Sequence, residues 1–270
     1  VLGPRSFSSS LELYLKDDLG RDFNSRLSGQ QRAWLSQQKE ISVGIVGPLT
    51  PPFELVTSKN NFEGMGADLL SIFSSMVSVK LQLNFYENER KALSAIKDNH
   101  VQMLSINSIL PEHVQQYPQS GKFSNEVIQA GHVYLAGIRE RQLADIESAT
   151  MAYELDSLDV EALHGLYPKA TLVGYETANL AFDSVLFGNA DYFIGSRLVG
   201  RYLNGGRFGN LSALTILDVK SKPLSFFVGE SNQHLLDILN IFVDVIQDHG
   251  VYSTLALRWR GGMGTEQLIP

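Results

Sequence analysis

The 270-residue chain contains no cysteine. That excludes disulfides, thiolate metal sites and thiol redox chemistry, and it is compatible with an oxidising compartment in which an unpaired thiol is a liability. No apolar run reaches the roughly 18 residues that a membrane-crossing helix needs. The most apolar helical stretch, residues 235–246, is broken by Asp237, Asn240 and Asp244. Positive charge is sparse: the net charge is −7 and Lys and Arg never cluster beyond a pair, so the electrostatic footprint of a nucleic-acid partner is missing. The six histidines, at 100, 113, 132, 164, 234 and 249, form no i, i+4 pair and no HExxH-like run, which argues against a metal site. Gly205-Gly206-Arg207-Phe208-Gly209 is a loop by composition, without the flanking strand and helix of a nucleotide fingerprint. No Ser-His-Asp order and no phosphate loop emerges, so neither a catalytic residue nor a cofactor is expected. Val1 to Ser6 lack the charged start and apolar core of a signal peptide, which reads as a mature or trimmed piece.

What is present is a folded α/β pattern. A hydrophobic content of 44% over this length supplies core for two domains of ordinary size. Residues 41–45 alternate like a buried strand and run into Pro51-Pro52-Phe53-Glu54, where two prolines end any ladder and force a rigid loop carrying an aromatic. A helix follows Phe62-Glu63-Gly64-Met65-Gly66, then a strand at 81–85, a helix at 90–98 and a strand at 101–106. The same alternation returns as strand 149–153, helix 159–166, strand 170–175, helix 178–187 and strand 192–194. Alternating strand and helix implies two mostly parallel sheets. No long internal repeat and no low-complexity tract links the two halves.

Taken in order with Phe123-Ser124-Asn125-Glu126, Gln129 to Leu135 and the Gly188-Asn189-Ala190-Asp191 turn, these segments resemble the family 3 extracellular solute-binding proteins of the polar-amino-acid type over about residues 41–260. The resemblance implies a bilobed periplasmic-binding-protein (Venus flytrap) fold: two α/β lobes joined by two crossover strands, with a ligand cleft closed by hinge bending. It places lobe 1 at 41–128 plus 225–260 and lobe 2 at 134–220, with crossings near 127–133 and 219–226.

The resemblance also shows where this chain departs from the family. A free amino acid needs a bidentate arginine for its carboxylate and an acidic partner for its ammonium. In the family these come from the arginine of a Thr-Pro-Glu-Arg pattern and from an aspartate a few residues after the Gly-x-x-Asp turn; here the matching positions hold His113, in Ser108-Ile109-Leu110-Pro111-Glu112-His113, and Ser196. The family's third anchor is a helix start with small hydroxyl residues, and here it reads Glu154-Leu155-Asp156-Ser157-Leu158-Asp159, acidic where an anion would dock. A neutral imidazole and a hydroxyl cannot replace two full charges. The cleft is therefore expected to take a small molecule other than a standard free amino acid, or none. Candidate cleft residues are Phe53, Ser105, Asn107, Ser108, His113, Asp156, Ser157 and Ser196. Each has a plainer reading: Asp156 and Ser157 as helix N-caps, Ser196 as a strand-end turn, His113 as a solvent-facing side chain, Phe53 as lobe packing, and Asn107 with Ser108 as a loop closure.

Transport binding proteins lack a counterpart to the first forty residues. Leu11-Glu12-Leu13-Tyr14-Leu15-Lys16 and Leu27-Ser28-Gly29-Gln30-Gln31-Arg32-Ala33-Trp34-Leu35, with Ser28 as N-cap and Trp34-Leu35 as a buried face, resemble the lead-in of Venus flytrap domains in BvgS/EvgS-type hybrid histidine kinases. The tail from Asp248-His249-Gly250 to Trp259 is similar to the family's closing pattern, and 261–270 reads as a linker. This resemblance implies a periplasmic sensory or signal-transmitting domain, itself without catalysis, belonging to an inner-membrane kinase. It would be the membrane-distal member of a tandem pair, partnered by a neighbouring flytrap and by a second receptor copy. Residues 1–40 would pack on the flytrap as an extension. Two alternatives remain at this stage. One is a free binding protein feeding a transporter. The other is an enzyme on the same fold, using Asp156 and Glu154 as an acid/base pair.

Overall fold

The computed structural model describes residues 18–47, 49–56, 61–106, 114, 120–138, 145–205 and 211–259. The strand-like segment 11–16, Asn107, Ser108, His113, the loop 206–209 and the linker 261–270 lie outside the described residues. The chain divides into two compact units. Unit 1 takes Val1–Leu49, Phe53–Ile128 and Leu224–Leu255, and unit 2 takes Thr50–Pro52, Gln129–Pro223 and Ala256–Pro270. The sequence reading gives lobe 1 as 41–128 without a break, plus 225–260. In the structure Thr50–Pro52 group with unit 2, where the Thr50 hydroxyl bonds Glu154, and so do residues 256–259.

Unit 1 begins with two short helices, α1 (Gly20–Arg26) and α2 (Gly29–Gln37). Ser28 accepts from the Gln31 N–H while the Gln31 side chain accepts from the Ser28 N–H, a capping box that satisfies two donors at the start of α2. Phe23 and Leu19 are fully buried and Leu27 nearly so. Leu35 is also buried, while Trp34 is only half-buried, its ring 6.3 Å from that of His234. Both helices pack on α8 (Gln233–Asp248). The Arg26 guanidinium joins them by pairing with Asp22 at 2.8 Å and Asp248 at 2.7 Å, and His249 Nε2 lies 3.1 Å from Asp22.

The sheet of unit 1 runs β4 (Lys80–Tyr86), β1 (Glu40–Val46), β5 (Met103–Leu104), β12 (Phe227–Gly229), β6 (Gly121–Phe123). β1 is parallel to both β4 and β5, whereas β12 is antiparallel to β5 and β6. A small ladder of β2 (Leu55–Val56) and β3 (Phe62–Glu63) and helix α3 (Met65–Val77) connect β1 to β4, and α4 (Glu89–Lys97) connects β4 to β5. Ile41, Val43 and Ile45 of β1 are buried, and Phe73 of α3 meets Phe242 of α8 edge-on at 5.2 Å. The apolar face of α4, Ala92, Leu93, Ala95 and Ile96, packs with Val46, Leu104 and Phe227.

The sheet of unit 2 runs β11 (Leu211–Lys220), β7 (His132–Ile138), β10 (Tyr192–Ser196), β8 (Thr150–Glu154), β9 (Thr171–Tyr175). β10, β8 and β9 are parallel, and β7 is antiparallel to β10 and β11. Helix α5 (Val160–Leu166) joins β8 to β9, α6 (Ala178–Leu186) joins β9 to β10, and α7 (Arg197–Gly205) follows β10 directly. Val133, Leu135, Met151, Leu163, Ile194 and Val219 form the centre of its core. The last helix, α9 (Val251–Trp259), closes the described chain with Trp259 buried.

Candidate functional site

In an open α/β sheet the place for a ligand is the crevice outside the carboxyl ends of neighbouring parallel strands whose connections leave in opposite directions. Each unit has one such place. In unit 1, β1 connects outward to β4, and the chain then returns across β1 to β5, so the crevice lies beyond the ends of β1 and β5. In unit 2, β8 connects outward to β9 and the chain returns across β8 to β10, so the crevice lies beyond β8 and β10. The described candidates lie at three of these strand ends and in the loop between β1 and β2. Phe53 follows β1, Ser105 follows β5, Asp156 and Ser157 follow β8, and Ser196 ends β10.

At the unit 1 position, Ser105 is buried with its N–H bonded to Gly44 O at 3.0 Å and its hydroxyl donating to Oε1 of Glu54. Glu54 is fully buried and rests against the start of α3. Glycine is required twice there. Gly64 has φ +110° and a Cβ would stand 2.5 Å from Phe53 O, while a Cβ on Gly66 would stand 2.9 Å from Glu54 Oε1. The Gly66 N–H donates to Phe53 O at 2.8 Å. A carboxylate at a helix N-terminus is favoured by the helix dipole. Ser105, expected as a ligand contact, thus spends its hydroxyl on Glu54, a residue that sequence reasoning noted only as part of the Pro-Pro-Phe-Glu loop. Phe53 is half-buried on the same turn.

At the unit 2 position the two expected helix caps are not caps. α5 is capped by Asp159, whose carboxylate accepts from the Ala162 N–H at 3.0 Å. Asp156 is exposed, three residues too early, in a left-handed conformation with φ 60°. Ser157 turns back and donates to Glu154 O at 2.7 Å. Three capping-type residues within four positions compete for one helix start, and only the one whose backbone is extended immediately before the helix can fill it. Ser196 does cap a helix, one that the sequence reading missed. Its hydroxyl accepts from the Val199 N–H at 3.3 Å at the start of α7. It is a strand-end residue with its oxygen committed to backbone.

Glu154 is the residue that gathers this position. Its carboxylate accepts from the Thr50 hydroxyl at 2.7 Å and from the backbone N–H of Ala178, the first residue of α6. Burial raises its proton affinity above that of an ordinary carboxylate, and these two hydrogen bonds partly oppose the rise. The acid/base pairing of Glu154 with Asp156 expected under the enzyme alternative has Glu154 tied to Thr50 and α6 instead. Arg197, the first residue of α7, holds its guanidinium over the ring of Tyr134 at 5.7 Å. The sequence signal for it was its place beside Ser196, the position compared with the family's aspartate. Among the described residues no group of His, Asp or Glu has the arrangement of a metal site.

Both units have the topology of the Venus flytrap or periplasmic-binding-protein fold, with parallel strands wound in two directions and an antiparallel strand added on the return. Among curated proteins the chain is 25% identical over 248 residues, 90% of its length, to the virulence sensor protein BvgS of Bordetella bronchiseptica. It is 24% identical over 235 residues, 84% of its length, to the sensor protein EvgS of Escherichia coli. It is homologous to these sensor proteins and spans about a fifth of their length, 19% in each case. Among solved structures, the periplasmic domain of Bordetella pertussis BvgS matches with a TM-score of 0.73 at 23% identity, covering 87% of this chain and 45% of that one. The VFT2 domain of the same protein gives 0.72 at 18% identity, covering 86% and 98%. An ancestral cationic amino acid solute binding protein gives 0.66 at 17% identity, covering 86% and 100%. No family model matches the chain.

Proposed function

We propose that the chain is a periplasmic ligand-sensing Venus flytrap domain of a two-component hybrid sensor kinase, one that biases the kinase through its own conformational equilibrium. The observation that carries this reading is the extent of the homology. A match over 90% of the chain leaves out fewer residues than precede β1, so it reaches into the segment that transport binding proteins lack. Its partners in this reading are a neighbouring flytrap of the same polypeptide and a second receptor copy. The higher identity to the whole BvgS periplasmic domain than to its VFT2 domain supports a position as the first flytrap of a tandem pair. The ligand is a small molecule other than a standard free amino acid, because Ser196 stands at the family's ammonium anchor and commits its hydroxyl to α7.

The test is a chimera in which this chain replaces the homologous segment of Bordetella pertussis BvgS and kinase-dependent transcription is read from a reporter. The expected result is regulated output that substitutions in the folded domain alter. Output identical to that of a receptor with the segment deleted would sink the proposal.

A further inference from the structure

Helices α6 and α7 lie side by side on one face of the unit 2 sheet. Both rest on the Phe193 ring of β10: Phe182 of α6 meets it edge-on at 5.6 Å, and a Cβ on Gly200 of α7 would stand 3.9 Å from it. The two helices also touch each other. Their inner stripes, Ala181, Phe182 and Val185 on one and Val199 and Leu203 on the other, are buried in the unit. Their outer stripes carry groups that the fold of unit 2 does not use.

The outer stripe of α6 is apolar around one carboxylate. Leu180 and Phe187, the residue that ends the helix, are seven positions apart, so two turns bring them onto one line, and they are 49% and 75% exposed. Asp183 lies between them, and its Oδ1 is buried with no hydrogen-bond partner among the described residues. A large exposed aromatic gains from being covered, and a carboxylate short of donors gains from an incoming cation. The outer stripe of α7 has the opposite charge. Arg197 and Arg201 are exposed one turn apart, and neither makes an ion pair among the described residues. No Lys, Arg or His falls between Lys169 and Arg197, so α6 and the strands it connects supply only the acidic Glu176, Asp183 and Asp191.

We propose that this two-helix face is a self-complementary interface on which a second copy of the chain docks, α6 of each copy against α7 of the other. Laying α6 on its own counterpart would set Asp183 against Asp183, and laying α7 on its own counterpart would set arginine against arginine. The crossed pairing instead brings Asp183 and Phe187 of each copy to the Arg197 and Arg201 stripe of the other, and a two-fold axis makes every such contact twice. Two nine-residue helices present a strip about 14 Å long and about 20 Å wide. That is roughly 300 Å² per copy, below the about 800 Å² of a standard interface, so the contact is weak in free solution and is populated where tethering raises the effective concentration. The assignment rests on the sensor reading above, which calls for a second receptor copy, and it names the surface that copy uses.

Sedimentation equilibrium of the 270-residue chain, up to about 1 mM to match the effective concentration that a short tether supplies, reads the association. The expected result is a monomer–dimer equilibrium that weakens by about tenfold or more in Phe187→Glu while the thermal midpoint stays that of the parent, because the position is exposed. Asp183→Lys and Arg201→Glu each weaken it by about tenfold, since each change is felt at both symmetric contacts, and the double variant Asp183→Lys/Arg201→Glu recovers most of the loss by exchanging the signs of the pair. Where Asp183→Lys lowers the thermal midpoint, the exposed positions Phe187 and Arg201 carry the test. Arg90→Gln, an exposed arginine in unit 1, leaves the association unchanged. A chain that stays monomeric throughout, or a dimer indifferent to Phe187→Glu, would overturn the assignment. A folded double variant as weak as the single ones would overturn the crossed pairing. The chimera separates the two proposals. A signalling chimera whose isolated domain stays monomeric places the error in the surface, and a silent chimera whose domain forms the Phe187-dependent dimer places it in the sensor reading.

Discussion

Replacing Phe23 by alanine tests whether the helices before β1 are part of the folded unit or an appendage to it. Phe23 is fully buried, with Leu19 fully and Leu27 almost fully buried beside it, and α1 and α2 both pack on α8. Removing a buried phenylalanine ring costs about 3–5 kcal/mol when the surrounding structure cannot collapse into the gap. For a chain of this size a loss of 1 kcal/mol lowers the midpoint by about 2–4 °C, so a shift of roughly 6–20 °C is expected for Phe23→Ala if α1 unfolds together with unit 1. If α1 detaches first, the loss is capped at its docking energy, and the global midpoint moves little while amide protection in residues 20–37 falls. Differential scanning calorimetry combined with hydrogen exchange distinguishes these cases. A midpoint within about a degree of the parent, with exchange in α1 and α2 unchanged, would refute the packing argument outright.

Glu154→Gln addresses the buried carboxyl. Because burial raises its affinity for a proton, the folded state holds that proton more tightly than the unfolded chain does. Its contribution is thus most favourable below the ordinary carboxylate range and is lost as pH rises through the folded-state value. The glutamine variant, which keeps an acceptor for the Ala178 N–H, should gain stability relative to the parent as pH goes from 4 to 8. A parent-minus-variant difference that is flat with pH would contradict the burial argument. At Asp156, whose φ is 60°, glycine and alanine both remove the side chain but differ in backbone tolerance. Asp156→Gly should therefore be more stable than Asp156→Ala by about 1 kcal/mol in denaturant titration, and equal stability would show that the loop relaxes out of the left-handed region.

Much of the architecture could be read from local pattern. The apolar stripes of α4 and α8 follow the period that the sequence displays, whereas β1, expected to alternate, is buried without a break from Val43 to Val46. Helix α7 could not be read so. Arg197–Gly205 contains Gly200, Asn204 and Gly205, weak helix formers whose local preference is overridden once Val199 and Leu203 are buried. The candidate residues were legible as strand-end positions but not in their roles. Ser105 faces Glu54 across 51 positions of sequence, and Glu154 meets Thr50 across 104, distances over which no local rule operates. The cap of α5 failed for a different reason. Asp156, Ser157 and Asp159 are chemically equivalent choices, and the left-handed turn at Asp156 that decides between them has no signature in an aspartate.

The interior place of β12 in the unit 1 sheet fixes an order of assembly. β12 lies between β5 and β6, so β6 cannot join the sheet begun by β4, β1 and β5 until residue 229 has left the ribosome. Residues 129–223, nearly all of unit 2, emerge before it as an almost continuous span and can close while unit 1 still presents two open strand edges. During synthesis, unit 1, although it supplies the earlier strands, is the unit that finishes folding last. Its exposed edges are the surfaces that a chaperone would have to shield from misassociation.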